Sequence, residues 1–159
     1  CIAITLEGRR ALLVEVQALT TTSPGNNPMR RTTGFDNARA AMLIAVTERA
    51  ARLKLWDKDV YLATVAGAKI SDPGADLAMC LAITSAARDS ALPIDLVAIG
   101  EVALSGDVRP VPGMNQRLSE AARIGFQVAL VPNGTRLPPG IKGLRLIEVG
   151  SLIDAVNAV

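Results

Sequence analysis

The stretch from Ser71 to Met79, SDPGADLAM, has the form of a turn that opens a helix and could present a reactive group. Asp72 precedes a proline, which favours the extended backbone that a helix N-cap requires. Pro73 suits the first helical position, because its missing N–H would be unpaired there. A nucleophile at this turn would need a hydroxyl or thiol and a nearby general base. The position that would hold it, Ala75, is a methyl group, so the residues predict a well-capped helix without that chemistry.

The chain contains no histidine, which excludes Ser-His-Asp and Cys-His catalysis and a zinc site of histidine and cysteine within it. A Ser-Lys dyad stays possible, because Lys69 and Ser71 are two positions apart and could face the same side of an extended segment. The two cysteines, Cys1 and Cys80, form no CxxC spacing and predict no disulfide framework. This usage fits a reducing compartment, and we expect a cytoplasmic protein.

The length of 159 residues suits a single domain, and we predict one that covers residues 1–159. Aromatic residues make up 3% of the chain, which argues against stacking of unpaired bases. The net charge of +2 does not by itself indicate a nucleic-acid partner. The longest apolar runs have seven residues, whereas a membrane-spanning helix needs about 20, so no membrane partner is expected. The chain starts at Cys1 and leads directly into a strand-like segment, which predicts a fragment of a longer chain.

The hydrophobic pattern predicts an α/β domain with a mixed sheet, in which an N-terminal β-hairpin around Gly8-Arg9-Arg10 is followed by alternating strands and helices. A loop is predicted over 22–31. Gly100 is expected to mark a bulge or a close approach of the backbone. The predicted strands are 1–8, 11–21, 59–70, 95–104, 127–132 and 144–149, and the predicted helices are 36–53, 74–91, 115–125 and 151–159.

Two segments resemble the catalytic segments of Lon proteases. VAGAKISDPGADLA (65–78) resembles the Lon segment that holds the catalytic serine, and GEVALSGDVRPVPGMNQRLSEAARIGF (100–126) resembles the one that holds the catalytic lysine. The resemblance places Ala75 at the serine position and Asn115 at the lysine position. A methyl group cannot attack a carbonyl, and an amide cannot accept the proton, so the resemblance implies a Lon-like fold without proteolysis.

A narrower resemblance covers nearly the whole chain. LEGRRALLVEVQAL, RRTTGFDNARAAMLIAVTERAARL, DVYLATVAGAKISDPGADLA and GEVALSGDVRPVP together resemble the C-terminal Lon-like domain of the RadA (Sms) family of bacterial DNA-repair proteins. Members of that family also carry a zinc finger and a RecA-like ATPase that drives branch migration, and this sequence contains neither a phosphate-binding loop nor a cysteine quartet. ATP, magnesium and zinc are therefore implied only for those other domains, and we expect no cofactor in this one.

The same resemblance implies a hexameric homo-oligomer and a surface for double-stranded or branched DNA, with a RecA-type recombinase as a partner of the longer protein. A single arginine is ordinarily a solvated surface charge, but several basic residues recur in the family pattern. The candidate DNA contacts are Arg10, Arg30, Arg31, Arg39, Lys69 and Arg109. We expect Arg117 and Arg123 to pair with Glu120 or to line a subunit contact. The alternatives are an oligomerisation scaffold without DNA contact and a residual Ser-Lys peptidase.

Overall fold

A computed structural model describes residues 1–25 and 27–159. Within these residues the chain forms nine strands and four α-helices, with a mixed seven-stranded sheet in the order β3-β4-β2-β1-β5-β8-β9 and a separate β6-β7 pair. The strands are β1 Ile2–Glu7, β2 Arg10–Thr22, β3 Arg30–Thr33, β4 Lys58–Thr64, β5 Leu96–Ala98, β6 Glu101–Val102, β7 Val108–Arg109, β8 Val128–Pro132 and β9 Arg145–Val149. The helices are α1 Asn37–Ala50, α2 Asp76–Arg88, α3 Met114–Ile124 and α4 Leu152–Asn157. The α/β class with a mixed sheet is confirmed.

The N-terminal hairpin is confirmed with a shorter turn than predicted. Gly8 and Arg9 form a two-residue connection, in which Gly8 has a positive φ of 59° that favours glycine. Arg10 opens β2 opposite Glu7 instead of lying in the turn. The hairpin places β1 inside the sheet, where Ile2 pairs in parallel with Val97 of β5.

One loop and one strand differ from their predictions. The loop predicted over 22–31 includes Asn26, which lies outside the described residues, and its last two residues instead begin β3, which pairs in parallel with β4. The strand predicted over 59–70 ends at Thr64, and the chain continues as a 3-10 turn at Val65–Gly67 although the apolar pattern continues. Gly67, the last residue of this turn, has a φ of 68° that favours glycine. Lys69 is therefore in a loop and not in a strand.

The strand predicted over 95–104 is divided at Gly100. A Cβ at Gly100 would lie 2.9 Å from Cγ1 of Val108, which confirms the predicted close approach of the backbone. The chain then forms β6 and returns as β7, so Arg109 lies in a strand.

The core has one layer on each face of the sheet. One layer contains buried side chains of α1 and α2 together with Ala3 and Val16 of the hairpin. The other contains Leu118 of α3 against Ile4 and Val97. Burial raises the pKa of the Cys80 thiol in the first layer to about 12. No helix among the described residues combines the length and the apolar character needed to cross a membrane.

Candidate nucleic-acid interface

The turn at Asp72 is a helix cap. The side chain of Asp72 accepts a 2.8 Å hydrogen bond from the backbone N–H of Gly74, and a 3-10 turn at Pro73–Ala75 leads into α2. The side chain of Ala75 is buried at 1% exposure, and Leu77 of the first helical turn is fully buried. Asn115, at the other position implied by the resemblance, is exposed in the first turn of α3. The two positions thus present a buried methyl group and a solvated amide.

Asp72 also binds a buried arginine that sequence reasoning had assigned elsewhere. Arg117, which is 2% exposed, donates to both carboxylate oxygens of Asp72 at 2.6 and 3.0 Å. It also donates to the carbonyl oxygens of Ile4 at 2.6 Å and Pro112 at 3.1 Å. The expectation that Arg117 pairs with Glu120 is wrong, because its guanidinium points into the core.

The neighbouring expectation for Arg123 is confirmed. Its guanidinium donates to Glu120 at 2.8 and 2.6 Å on the exposed side of α3. The two arginines differ in their helical position, since Arg117 lies beside Leu118 and one turn before Ala121 on the buried side of the helix. A charge on the buried stripe of a helix requires a partner, and this is the signal that could have indicated the buried pair.

The environment of Asp72 favours its charged form. Burial alone would raise the pKa of Asp72, but hydrogen bonds from Arg117 and from the N–H groups of Leu6 and Gly74 outweigh burial, so the pKa lies below its usual value. The carboxylate is a fixed anion at the start of α2 at neutral pH.

A second ion pair joins the first turns of α1 and α2. Arg39 donates from Nε to Oδ1 of Asp76 at 2.8 Å and binds the other carboxylate oxygen through Nη2. Asp76 is 1% exposed and also accepts from the N–H of Val102 at 3.1 Å. Burial raises the pKa of Asp76 in spite of the hydrogen bonds from Arg39 and Val102. The guanidinium of Arg39, one of the candidate DNA contacts, therefore stabilises a buried carboxylate.

Arg109 lies close to the same ion pair. It faces Glu101 in the antiparallel β6-β7 ladder, and Oε1 of Glu101 is 3.7 Å from Nη2 of Arg39. Directly opposed residues in such a ladder have Cβ atoms about 5 Å apart. The structure therefore places Glu101 beside the guanidinium of Arg39 and pairs it with Arg109 in the ladder, and both arginines are candidate contacts.

The tandem arginines of β3 have different environments. The guanidinium of Arg30 donates to the carbonyl oxygens of Lys58 at 2.6 Å and Leu55 at 2.8 Å, which ties β3 to the chain that precedes β4. Arg31 is exposed, and its guanidinium makes a 3.6 Å contact with the sulfur of Met29. The guanidinium of Arg30 is therefore bound to backbone carbonyl oxygens, whereas that of Arg31 faces solvent.

Lys69 and Arg10 are exposed near the β1-β2 hairpin. Lys69 lines a groove of about 390 Å³ together with Glu7 and Leu12 of the hairpin and Ser71 of its own loop. Both members of the possible Ser-Lys dyad are thus exposed at one groove. Among the described hydrogen bonds, none joins them.

These observations describe an α/β domain with buried ion pairs around a helix start and exposed cations at several sites. The sequence model of a family described as subunit ChlI of Mg-chelatase matches residues 35–135, more than half of the chain. The DNA repair protein RadA of Mycolicibacterium smegmatis is 46% identical over 158 residues, which are 99% of this chain and 33% of that protein. RadA of Mycobacterium tuberculosis H37Rv is 50% identical over 145 residues, 91% of this chain and 30% of that protein.

RadA of Escherichia coli K12 is 42% identical over 156 residues, 98% of this chain and 34% of that protein. The chain spans about a third of the length of the curated relatives it matches. The chain therefore belongs to the family described by that model, and it matches the C-terminal region of the DNA repair protein RadA, as the resemblance predicted.

Proposed function

We propose that the chain is a non-catalytic module of a RadA-type DNA repair protein that binds duplex DNA through its phosphates. The observation that carries this proposal is the exposure of four of the six candidate cations, Arg10, Arg31, Lys69 and Arg109. The similarity to relatives that are DNA repair proteins supports it. The residues at the two protease-like positions, Ala75 and Asn115, argue against hydrolysis.

The remaining two candidate cations hold the exposed ones in place, and the partly exposed guanidinium of Arg39 can also meet a phosphate. Arg30 fixes the strand that carries Arg31 through its hydrogen bonds to Lys58 and Leu55. Arg39 fixes Asp76, whose carboxylate accepts from the N–H of Val102 in the β6-β7 hairpin that carries Arg109. Their loss would weaken DNA binding by displacing the exposed cations.

Phosphate contacts predict binding without sequence preference that weakens steeply as salt rises, because each neutralised phosphate releases counterions. A single copy of the chain should bind with a Kd of about 10⁻⁴ to 10⁻⁶ M, the range of non-specific contacts. We propose that the longer protein forms a homo-oligomeric ring of six subunits with head-to-tail contacts, in which repeated copies of these cations bind one duplex more tightly. In that protein, ATP-driven branch migration, the zinc finger and contact with a RecA-type recombinase belong to other domains, and its place is the cytoplasm.

The experiment compares two variants of the 159-residue chain with the same change of net charge. The first replaces Arg10, Arg31, Lys69 and Arg109 by alanine, and the control replaces four other exposed cations, Arg49, Lys54, Arg136 and Lys142. Fluorescence anisotropy with a labelled 30-base-pair duplex, over a series of salt concentrations, gives affinity and salt dependence. We expect the first variant to lose binding and the control to bind almost as tightly as the unmodified chain. Equal binding by both variants would contradict the proposed surface.

The second candidate function is a scaffold for oligomerisation without DNA contact. Three large apolar side chains support it, since Ile94 is 96%, Leu104 72% and Trp56 70% exposed and could pack against a neighbouring copy. Light scattering over a concentration series measures the mass in solution. Assembly by a chain that does not bind duplex DNA at low salt would favour the scaffold.

A further inference from the structure

Glu101 lies next to two cations that could meet DNA. Its carboxylate is 3.7 Å from the guanidinium of Arg39, a separation beyond a direct hydrogen bond, and its backbone is paired with that of Arg109 in the β6-β7 ladder. Asp76 adds a second carboxylate to the same cluster. Two anions and two cations make this part of the surface neutral, although it holds two of the candidate contacts.

The two carboxylates differ in what they can do. Asp76 is 1% exposed, and its oxygens accept hydrogen bonds from Arg39 and from the N–H of Val102. The side chain of Glu101 is 41% exposed, and its contact with Arg39 is long. A phosphate that approached Arg109 or the exposed part of Arg39 would therefore meet the Glu101 carboxylate, and not that of Asp76, as its competitor.

We propose that Glu101 attenuates the binding of DNA phosphates at Arg109 and Arg39 and so limits the affinity of this surface for duplex DNA. The inference rests on the proposed function and adds a residue that tunes it. A carboxylate beside a bound phosphate repels it, and in the absence of DNA it attracts the guanidinium of Arg39. Removal of one neighbouring unit charge from a solvated site should tighten binding about three- to tenfold at low salt. It should also make the salt dependence steeper by up to about one phosphate equivalent.

The test uses E101Q, which keeps the shape of the side chain and removes its charge. The matched control is E120Q, which makes the same change of net charge and frees Arg123, an exposed arginine on α3. Anisotropy titrations with the same labelled duplex at matched salt measure affinity for the unmodified chain and both variants. Thermal unfolding shows whether each variant is folded. The expected result is tighter binding by E101Q and little change in E120Q.

A second pair of variants assigns the effect to Arg109. E101Q in the background of R109A should give less tightening than E101Q alone, because one of the freed cations is missing.

Equal tightening by E101Q and E120Q would show that the effect comes from net charge alone and would overturn the inference. Unchanged or weaker binding by E101Q would overturn it as well. An unmodified chain that binds no duplex at low salt contradicts the proposed function itself, whereas binding that E101Q does not tighten contradicts only the role of Glu101. If E101Q is unfolded, the affinity of R109A for the duplex tests the inference instead. An attenuated Arg109 should contribute less than the exposed Arg31 to the binding of the unmodified chain.

Discussion

Arg117 binds Asp72 across 45 positions of sequence, and this ion pair binds backbone groups of β1 beyond the point where β1 pairs with β5. Among the described residues, β1 pairs with β5 only at Ile2. Beyond that point, the carbonyl oxygen of Ile4 accepts from Arg117, and the N–H of Leu6 donates to Asp72 at 2.6 Å. The pair thus joins α3, the start of α2 and the edge of β1 through buried hydrogen bonds.

Replacement of Arg117 by alanine should strongly destabilise the domain. It would leave Asp72 and the carbonyl oxygen of Ile4 without their buried donor, and breaking a buried pair in this way costs about 3–5 kcal/mol. Urea unfolding followed by circular dichroism measures the change. Arg123→Ala, which removes an exposed pair on the same helix, is the control and should leave the urea midpoint almost unchanged. Similar midpoints for the two variants would show that the buried pair is not needed.

The Arg117–Asp72 pair also predicts loss of stability in acid. Because the pKa of Asp72 is lower in the folded state than its usual value, this contribution is present above about pH 4 and is lost as the pH falls through the folded-state pKa. The difference in stability between the unmodified chain and Asp72→Asn should therefore shrink as the pH falls below about 4. Urea midpoints from neutral pH to about pH 3 measure this trend.

Asp76 gives a control of the opposite sign. Burial raises its folded-state pKa, so the folded state takes up a proton more readily and the unmodified chain gains relative stability as the pH falls through that raised value. Relative to Asp76→Asn, the unmodified chain should therefore become more stable as the pH falls from the raised pKa to the usual pKa. The same trend for both variants would contradict the opposite assignments of the two carboxylates.

Arg39→Ala should cost stability as well as DNA binding. The substitution leaves the carboxylate of Asp76 buried without its cation, at a cost of about 1–3 kcal/mol. Asp76→Asn in the same background should recover part of this loss, because a neutral amide is less costly to bury and can still accept from the N–H of Val102. A double-mutant cycle by urea unfolding measures the coupling. Additive effects of the two changes would show that the ion pair contributes nothing.

Ala75→Ser should not produce a peptidase. The side chain at this position is 1% exposed, and the residue that the resemblance places as its general base is the amide of Asn115. Release of dye from labelled casein should stay at background for both the unmodified chain and the variant. Hydrolysis that Ser71→Ala abolishes would instead support the Ser-Lys alternative at the groove beside Lys69.

Local patterns in the sequence predicted much of the fold. Asp36 and Ser151 accept hydrogen bonds as helix N-caps where two predicted helices begin, and Gly125 ends α3 with a φ of 108° where a third predicted helix ends. These features depend on contacts within a few residues. β3, which the sequence did not predict, depends on a distant partner, because Arg30 pairs with Val60 of β4.

In the candidate site, too, local features could be predicted from the sequence and contacts with distant partners could not. The basic residue types were recognised from the sequence, but the partner of each one was not. Arg39 and Arg117 have carboxylates 37 and 45 positions away, and only the folded chain separates these structural cations from exposed ones such as Arg109. Spacing along a helix could find only the pair of Glu120 and Arg123.

The position of β1 inside the sheet has a consequence for the order in which the chain can fold. The first strand gains its parallel partner only when Val97 has been synthesised. The ribosome must therefore complete well over half of this chain before β1 can pair with β5. Until then, the hairpin, α1 and α2 can associate, but one side of β1 lacks its neighbouring strand. Non-local parallel pairing forms slowly, and an open strand edge can recruit other chains. A nascent chain that stalls before β5 therefore keeps a strand edge open to pairing with other chains.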